Sequence, residues 1–150
     1  MNRLEGKVAI ITGGNSGVGA ATAVKFANEG AKVVITARRE AQLEEVAVKI
    51  REMGGEVLPI CSDISKVEDA KRVVAETLAA FGKIDILINN AGVLDNGLKA
   101  IDSFTDDDMN RVIDINTKGT MYMTREVSVE MAKTGYGSIV NVASVAGVMG

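Results

Sequence analysis

The chain contains no histidine, one cysteine and no apolar run near the length of a membrane span, and each absence removes a class of function. Without histidine, neither a Ser/His nor a Cys/His nucleophile pair can form, and most zinc sites lose a common ligand. Cys61 has no second cysteine to join, which excludes an internal disulfide and fits a reducing compartment. No segment approaches the roughly 20 apolar residues needed to cross a bilayer, and the N-terminal "MNRLEGKVAII" turns strand-like almost at once. A cytoplasmic location is the expectation. Basic clustering is missing too: 17 basic and 20 acidic side chains are scattered along the chain for a net charge of −3, leaving no stripe for nucleic acid or an anionic membrane. Small molecules are the expected partners.

What is present reads as one globular domain: 150 residues, 47% hydrophobic and 25% charged. Five β-branched runs, "KVAIIT" (7–12), "KVVIT" (32–36), "EVLPI" (56–60), "IDILIN" (84–89) and "GSIVNVA" (137–143), read as strands. Between them lie segments of helical period, 17–30, 39–55, 65–82 and a long one from about Thr105 to Lys133, most of them closing on glycine. This alternation predicts right-handed βαβ crossovers and a doubly wound α/β fold, a parallel sheet between two helical layers. No linker, low-complexity tract or longer repeat marks a second domain.

"TGGNSGVG" (12–19) falls where the first strand becomes the first helix, the context a phosphate-binding glycine loop requires. Gly13 and Gly17 permit a tight turn and close backbone approach, Gly19 permits close helix–strand packing, and the helix N-terminus offers free amides to an anion. The spacing is G-x-x-x-G-x-G, and no G-K-[ST] ending follows, which argues against nucleoside triphosphate hydrolysis. One strand later, "ITARRE" (35–40) places Arg38 and Arg39 where NAD-binding folds carry a carboxylate for the ribose hydroxyls. Arginine there suits the extra phosphate of NADP, and a charge-assisted bond of about 1.5–3 kcal/mol gives a roughly ten- to hundredfold preference for NADP(H) over NAD(H).

"LINNAG" (87–92) joins the glycine loop, "CSDIS" (61–65), "IDINTKGT" (113–120) and "GSIVNVASVAG" (137–147) in an order that resembles the short-chain dehydrogenase/reductase family from end to end. The resemblance implies a Rossmann fold in which Gly13, Ser16, Gly17, Val18 and Gly19 line the diphosphate and ribose site, and Asp63 with Ile64 sits beside the adenine. It implies that Asn90, Ala91 and Gly92 floor the adenosine ribose site and support the sheet. Asn116 matches the family's catalytic-site asparagine, which holds a water in a proton relay, and Ser144 the serine that hydrogen-bonds the substrate oxygen. A ketone gaining hydride becomes an alkoxide, so a hydroxyl donor at that oxygen stabilises charge as it develops. A dimer or tetramer is also implied, through the long helix.

One departure stands out. The family's proton donor is a Tyr whose pKa is lowered by a Lys four residues on, but Tyr122 and Tyr136 are followed at that spacing by Glu126 and Val140, and both precede Ser144. The family's members are also longer, so residues 1–150 are expected to be a single NADP-binding domain forming the N-terminal part of a longer enzyme, its sheet incomplete at the C-terminal end. The leading reading is an NADP(H)-dependent oxidoreductase interconverting a ketone and a secondary alcohol, with 3-oxoacyl thioesters ahead of steroids, sugars and small alcohols. The alternatives are a non-catalytic dinucleotide-binding module and, further back, a methyltransferase.

Other features read more plainly. "TDDDM" (105–109) suggests an N-cap and a helix-dipole pairing rather than a metal site, and no metal is expected. Met121, Met123 and Met131 suggest core or subunit packing, Glu44, Glu45, Lys49 and Glu52 a solvated helix face, and Cys61 inert packing after a buried strand. Asp95 and Asn96 are expected to edge the substrate pocket.

Overall fold

A computed structural model describes residues 2–94 and 99–145. Strand β1 (Val8–Thr12) leads through the glycine loop into α1 (Gly17–Asn28), followed by β2 (Lys32–Ala37), α2 (Glu40–Glu52), β3 (Val57–Cys61), α3 (Val67–Phe81) and β4 (Ile86–Asn89). A short 3-10 turn at Ile101–Ser103 precedes α4 (Asp106–Val112), a π-helical segment (Ile113–Gly119), α5 (Thr120–Thr134) and β5 (Ser138–Asn141). All strand pairs are parallel in the order β3-β2-β1-β4-β5. The chain therefore winds outward from β1 in one direction and then returns to wind in the other. The reversal falls between β1 and β4, and ligands of open α/β sheets bind outside the carboxyl ends of the strands at such a point.

Alternation along the buried strands divides the core into two layers. Ala9, Ile11, Val33 and Ile35 pack with Ala23, Leu43, Ala47 and Ile50 of α1 and α2, while Ile10, Val34 and Leu87 pack with Val73, Met123 and Val127 of α3 and α5. Truncating a fully buried member such as Leu87 to Ala would cost about 2–5 kcal/mol. Strand β3 is only half buried over Val57, Leu58 and Pro59, as suits an edge strand that can tolerate a proline. At the other edge, Ser138, Val140 and Asn141 of β5 are exposed.

Helices α3 and α5 stop at Gly82 and Gly135, with φ of 77° and 69°, the left-handed conformation expected of the glycines at these ends. Thr105 caps α4 in a reciprocal box with Asp108, as the "TDDDM" reading predicts. The helix expected from Thr105 to Lys133 forms as one unbroken run of α4, the π segment and α5, with a change of winding at Ile113–Gly119 that was not expected. Met123 and Met131 are buried and Met121 is exposed. Among the described residues, no helix is long and apolar enough to cross a membrane.

Candidate cofactor and active site

The cleft at the switch point encloses about 380 Å³ above the carboxyl ends of the strands. Its base is a polar knot around Thr12, the buried last residue of β1. The Thr12 hydroxyl accepts from the backbone N–H groups of Asn90 and Ala91, each at 3.0 Å, and donates to the Ile88 carbonyl at 3.4 Å. The Asn90 amide donates in return to the carbonyls of Thr12 at 3.0 Å and Gly13 at 3.3 Å. Asn90 thus braces the glycine loop against β4.

Two of the loop's glycines are dictated by space. Gly13 has φ 67°, and a Cβ there would lie 2.9 Å from both the Ala91 Cα and the Asn90 Nδ2. At Gly19 a Cβ would collide with the Gly13 carbonyl and the Asn90 amide. The loop is held over β2 by donation from the Gly13 N–H to the Thr36 carbonyl at 2.8 Å. The first bond of α1 runs from the Ala20 N–H to the Ser16 carbonyl, so the amides of residues 17–19 precede it. Ser16 makes no side-chain cap bond, the first turn of α1 carries no acid, and Ser16 lines the cleft. That end of α1 therefore presents uncapped amides and no acid beside the cleft.

At the far end of the cleft, Arg38 and Arg39 follow β2, and Ser62, Asp63 and Ile64 follow β3. The Thr36 and Ser62 hydroxyls share a hydrogen bond that ties the two strand ends together. Asp63 is shaped from both sides: its N–H donates to Asp69 at 2.7 Å, and its Oδ1 accepts from the Ser65 N–H at 3.1 Å and hydroxyl at 2.7 Å. Donation from the Asp63 amide, helped by Arg72, holds the Asp69 carboxyl below the usual carboxylate range. Cys61 departs from the sequence reading: it ends the edge strand β3, is exposed, and sits with its thiol 3.5 Å from the Arg38 carbonyl.

Asn116 lies in the middle of the π segment, a feature frequent at functional sites. Both ends of its amide engage Val93: Oδ1 accepts from the Val93 N–H and Nδ2 donates to the Val93 carbonyl, each at 2.8 Å. Arg111, on α4, donates to the Leu94 carbonyl at 3.0 Å. Nearby, Lys99 and Thr105 hold Asp108, whose carboxyl is lowered to about 2, chiefly by the Lys99 ammonium. Ser144 is exposed beyond β5 and does not line this cleft.

Of the residues singled out from the sequence, Gly13, Ser16, Arg38, Arg39, Asp63, Ile64, Asn90, Ala91 and Gly92 line one cleft. Gly17, Val18 and Gly19 open α1 beside it without lining it, and Asn116 reaches it through Val93. Asp95 and Asn96 lie outside the described residues. Sequence reasoning missed Asn15, Thr36, Val93, Arg111 and Ile115 as lining residues, and Thr12 as the hub beneath them.

A parallel sheet with its order reversed at β1, a glycine loop running into α1 and a cleft over the switch point define a dinucleotide-binding Rossmann domain. Comparison with known proteins narrows the class. The profile for "short chain dehydrogenase" matches residues 7–150, and the chain belongs to that family. It is 40% identical over 146 residues to an uncharacterized oxidoreductase of Thermotoga maritima, covering 97% of this chain and 57% of the relative. With the 3-oxoacyl-(acyl-carrier-protein) reductase of the same organism it shares 38% identity over 148 residues, covering 99% and 59%. Among solved structures it is similar to NAD+-bound xylitol dehydrogenase (TM-score 0.94, 35% identity, 99% of this chain and 56% of that one). A metagenomic short-chain oxidoreductase in complex with NADP matches with TM-score 0.91 and 35% identity over 96% of this chain and 65% of that one. The chain thus spans just over half the length of these two curated relatives.

Proposed function

We propose that residues 1–150 form the NADP(H)-binding domain of an oxidoreductase that passes hydride between nicotinamide and a ketone or secondary alcohol. The sorting of the arginines carries the cofactor preference. Arg3, Arg51, Arg72 and Arg125 each pair with a carboxylate. Arg38, Arg39 and Arg111 have no carboxylate partner among the described residues, and all three line the cleft. Guanidinium groups left without counter-charges around one cavity favour an anionic ligand, and the two that follow β2, Arg38 and Arg39, favour one with a further phosphate.

In this reading the amides at the start of α1 and the Ser16 hydroxyl take the diphosphate, Asp63 and Ile64 the adenine, and Arg38 the 2′-phosphate. The NADP, when bound, supplies the hydride chemistry. Ser144 donates to the substrate oxygen. Asn116, its side-chain amide held at both ends by Val93, positions the water of the proton relay. The acid that completes catalysis belongs to the rest of the enzyme. Family membership favours this reading over a non-catalytic module. The 38% identity to a 3-oxoacyl-(acyl-carrier-protein) reductase supports a 3-oxoacyl thioester as substrate. Exposed Met121 and Val129 on α5 support self-association, and the free thiol of Cys61 suits a cytoplasmic setting.

Titration with NADPH and NADH tests the cofactor assignment. Arg38→Ala is expected to weaken NADPH about ten- to hundredfold and leave NADH unchanged. Equal losses for both would sink it.

A further inference from the structure

Arg111 is the one cleft arginine that the glycine-loop and strand-end motifs do not account for, and it enters from the helical wall, on α4. Its Nη1 is committed to the Leu94 carbonyl at 3.0 Å, which fixes the guanidinium at the rim. No other acceptor for its remaining N–H groups is found among the described residues. One turn further along the same helical face lies Ile115, buried and lining the cleft, and one turn beyond that Gly119. Ile64 packs directly on Gly119, where a Cβ would come within 2.8 Å of the Ile64 Cδ1. Ile64 and Ile115 thus give the cleft an apolar wall beside Asp63, and Arg111 lines the same cleft one turn before Ile115. An aromatic base laid against that wall would present its π face or ring nitrogens to the guanidinium, the kind of contact arginine makes well.

We propose that Arg111 is a specificity-determining contact for the adenine ring, acting equally on NADP(H) and NAD(H), in contrast to Arg38, which discriminates between them. This inference rests on the dinucleotide reading of the cleft. Calorimetric titration of the intact protein with NADPH, NADH, 5′-ADP and reduced nicotinamide mononucleotide tests it. Arg111→Gln keeps an N–H donor for the Leu94 carbonyl but removes the cation. It is expected to weaken NADPH, NADH and 5′-ADP by the same factor of about fivefold and to leave the mononucleotide unchanged. Arg111→Lys, which keeps charge without the planar face, is expected to lose affinity in the same pattern. Should Arg111→Gln fail to fold by circular dichroism, Arg111→Lys decides alone. Loss confined to NADPH would make Arg111 a phosphate ligand, loss for the mononucleotide would make it a brace for residues 92–94, and no loss would make it a surface residue; each overturns the proposal. A wild-type protein that binds neither dinucleotide overturns the underlying reading, whereas normal wild-type binding with unchanged variants overturns this inference alone.

Discussion

Every residue of β4 is buried, whereas one strand over, in β5, Ser138, Val140 and Asn141 are exposed, although the two strands pair in register from Ile86 with Ser138 to Asn89 with Asn141. Asn90, Ala91 and Gly92 of the cleft follow the first kind of strand and Ser144 follows the second. Under the proposed function, the cofactor contacts of these three residues are thus coupled to the stability of the core. The proposed substrate contact is not: Ser144 lies beyond a strand that contributes little buried surface among the described residues.

Gly19→Val presses hardest on that contrast, because the added side chain meets the Gly13 carbonyl and the Asn90 amide, neither of which can move without the loop. Destabilisation of about 1–3 kcal/mol is expected by denaturant unfolding, with dinucleotide binding lost. Thr12→Val comes next. It keeps the shape but strips the acceptor from the Asn90 and Ala91 amides, for about 1–3 kcal/mol and a measurable weakening of both cofactors. Acid should act on the periphery of the same architecture. Glu29 is lowered to about 2, first by the Arg3 side chain, and Asp108 to about 2, first by Lys99. Their folded pKa values lie below the unfolded ones near 4, so their stabilisation is complete above about pH 4 and fades as pH falls toward 2. A melting temperature flat from pH 7 to 5 that drops below 4 is expected, with Asp108→Asn blunting the drop. At the small end, Ser144→Ala should cost about 1 kcal/mol or less, the worth of a single exposed side-chain contact. A larger effect would show that the β5 side is as integral to the core as the β4 side, and the contrast would fail.

Strands, helices and the glycine loop were legible because each leaves a local signature: β-branched runs, glycine stops, and Thr105 ahead of three acids. So were most residues that line the cleft, since the motifs that carry them sit at strand ends. Arg111 was not. Asp107 and Asp108 stand four and three residues before it, the spacing of an ordinary surface ion pair, but Asp108 is taken by Lys99 and Thr105, and Arg111 turns to Leu94 instead. Thr12 was overlooked because its value lies in two amides 78 and 79 positions away. The exposure of Cys61 follows from strand order, which no window of residues reveals. Nor does any local pattern mark the change of winding at Ile113–Gly119.

That change of winding acts as a phase corrector. Ile115, Gly119, Met123, Val127 and Met131 are all buried, and they recur every fourth residue. In an ideal α-helix each step of four overshoots a full turn by about 40°, so five such residues would spiral away from one face. A wider π turn at the start of the series offsets part of the overshoot, letting one continuous rod present its early residues to the cleft and its later ones to the sheet. Deleting a single residue from the segment would thus rotate the cleft wall and the core face against each other, and the chain could satisfy one only by misaligning the other.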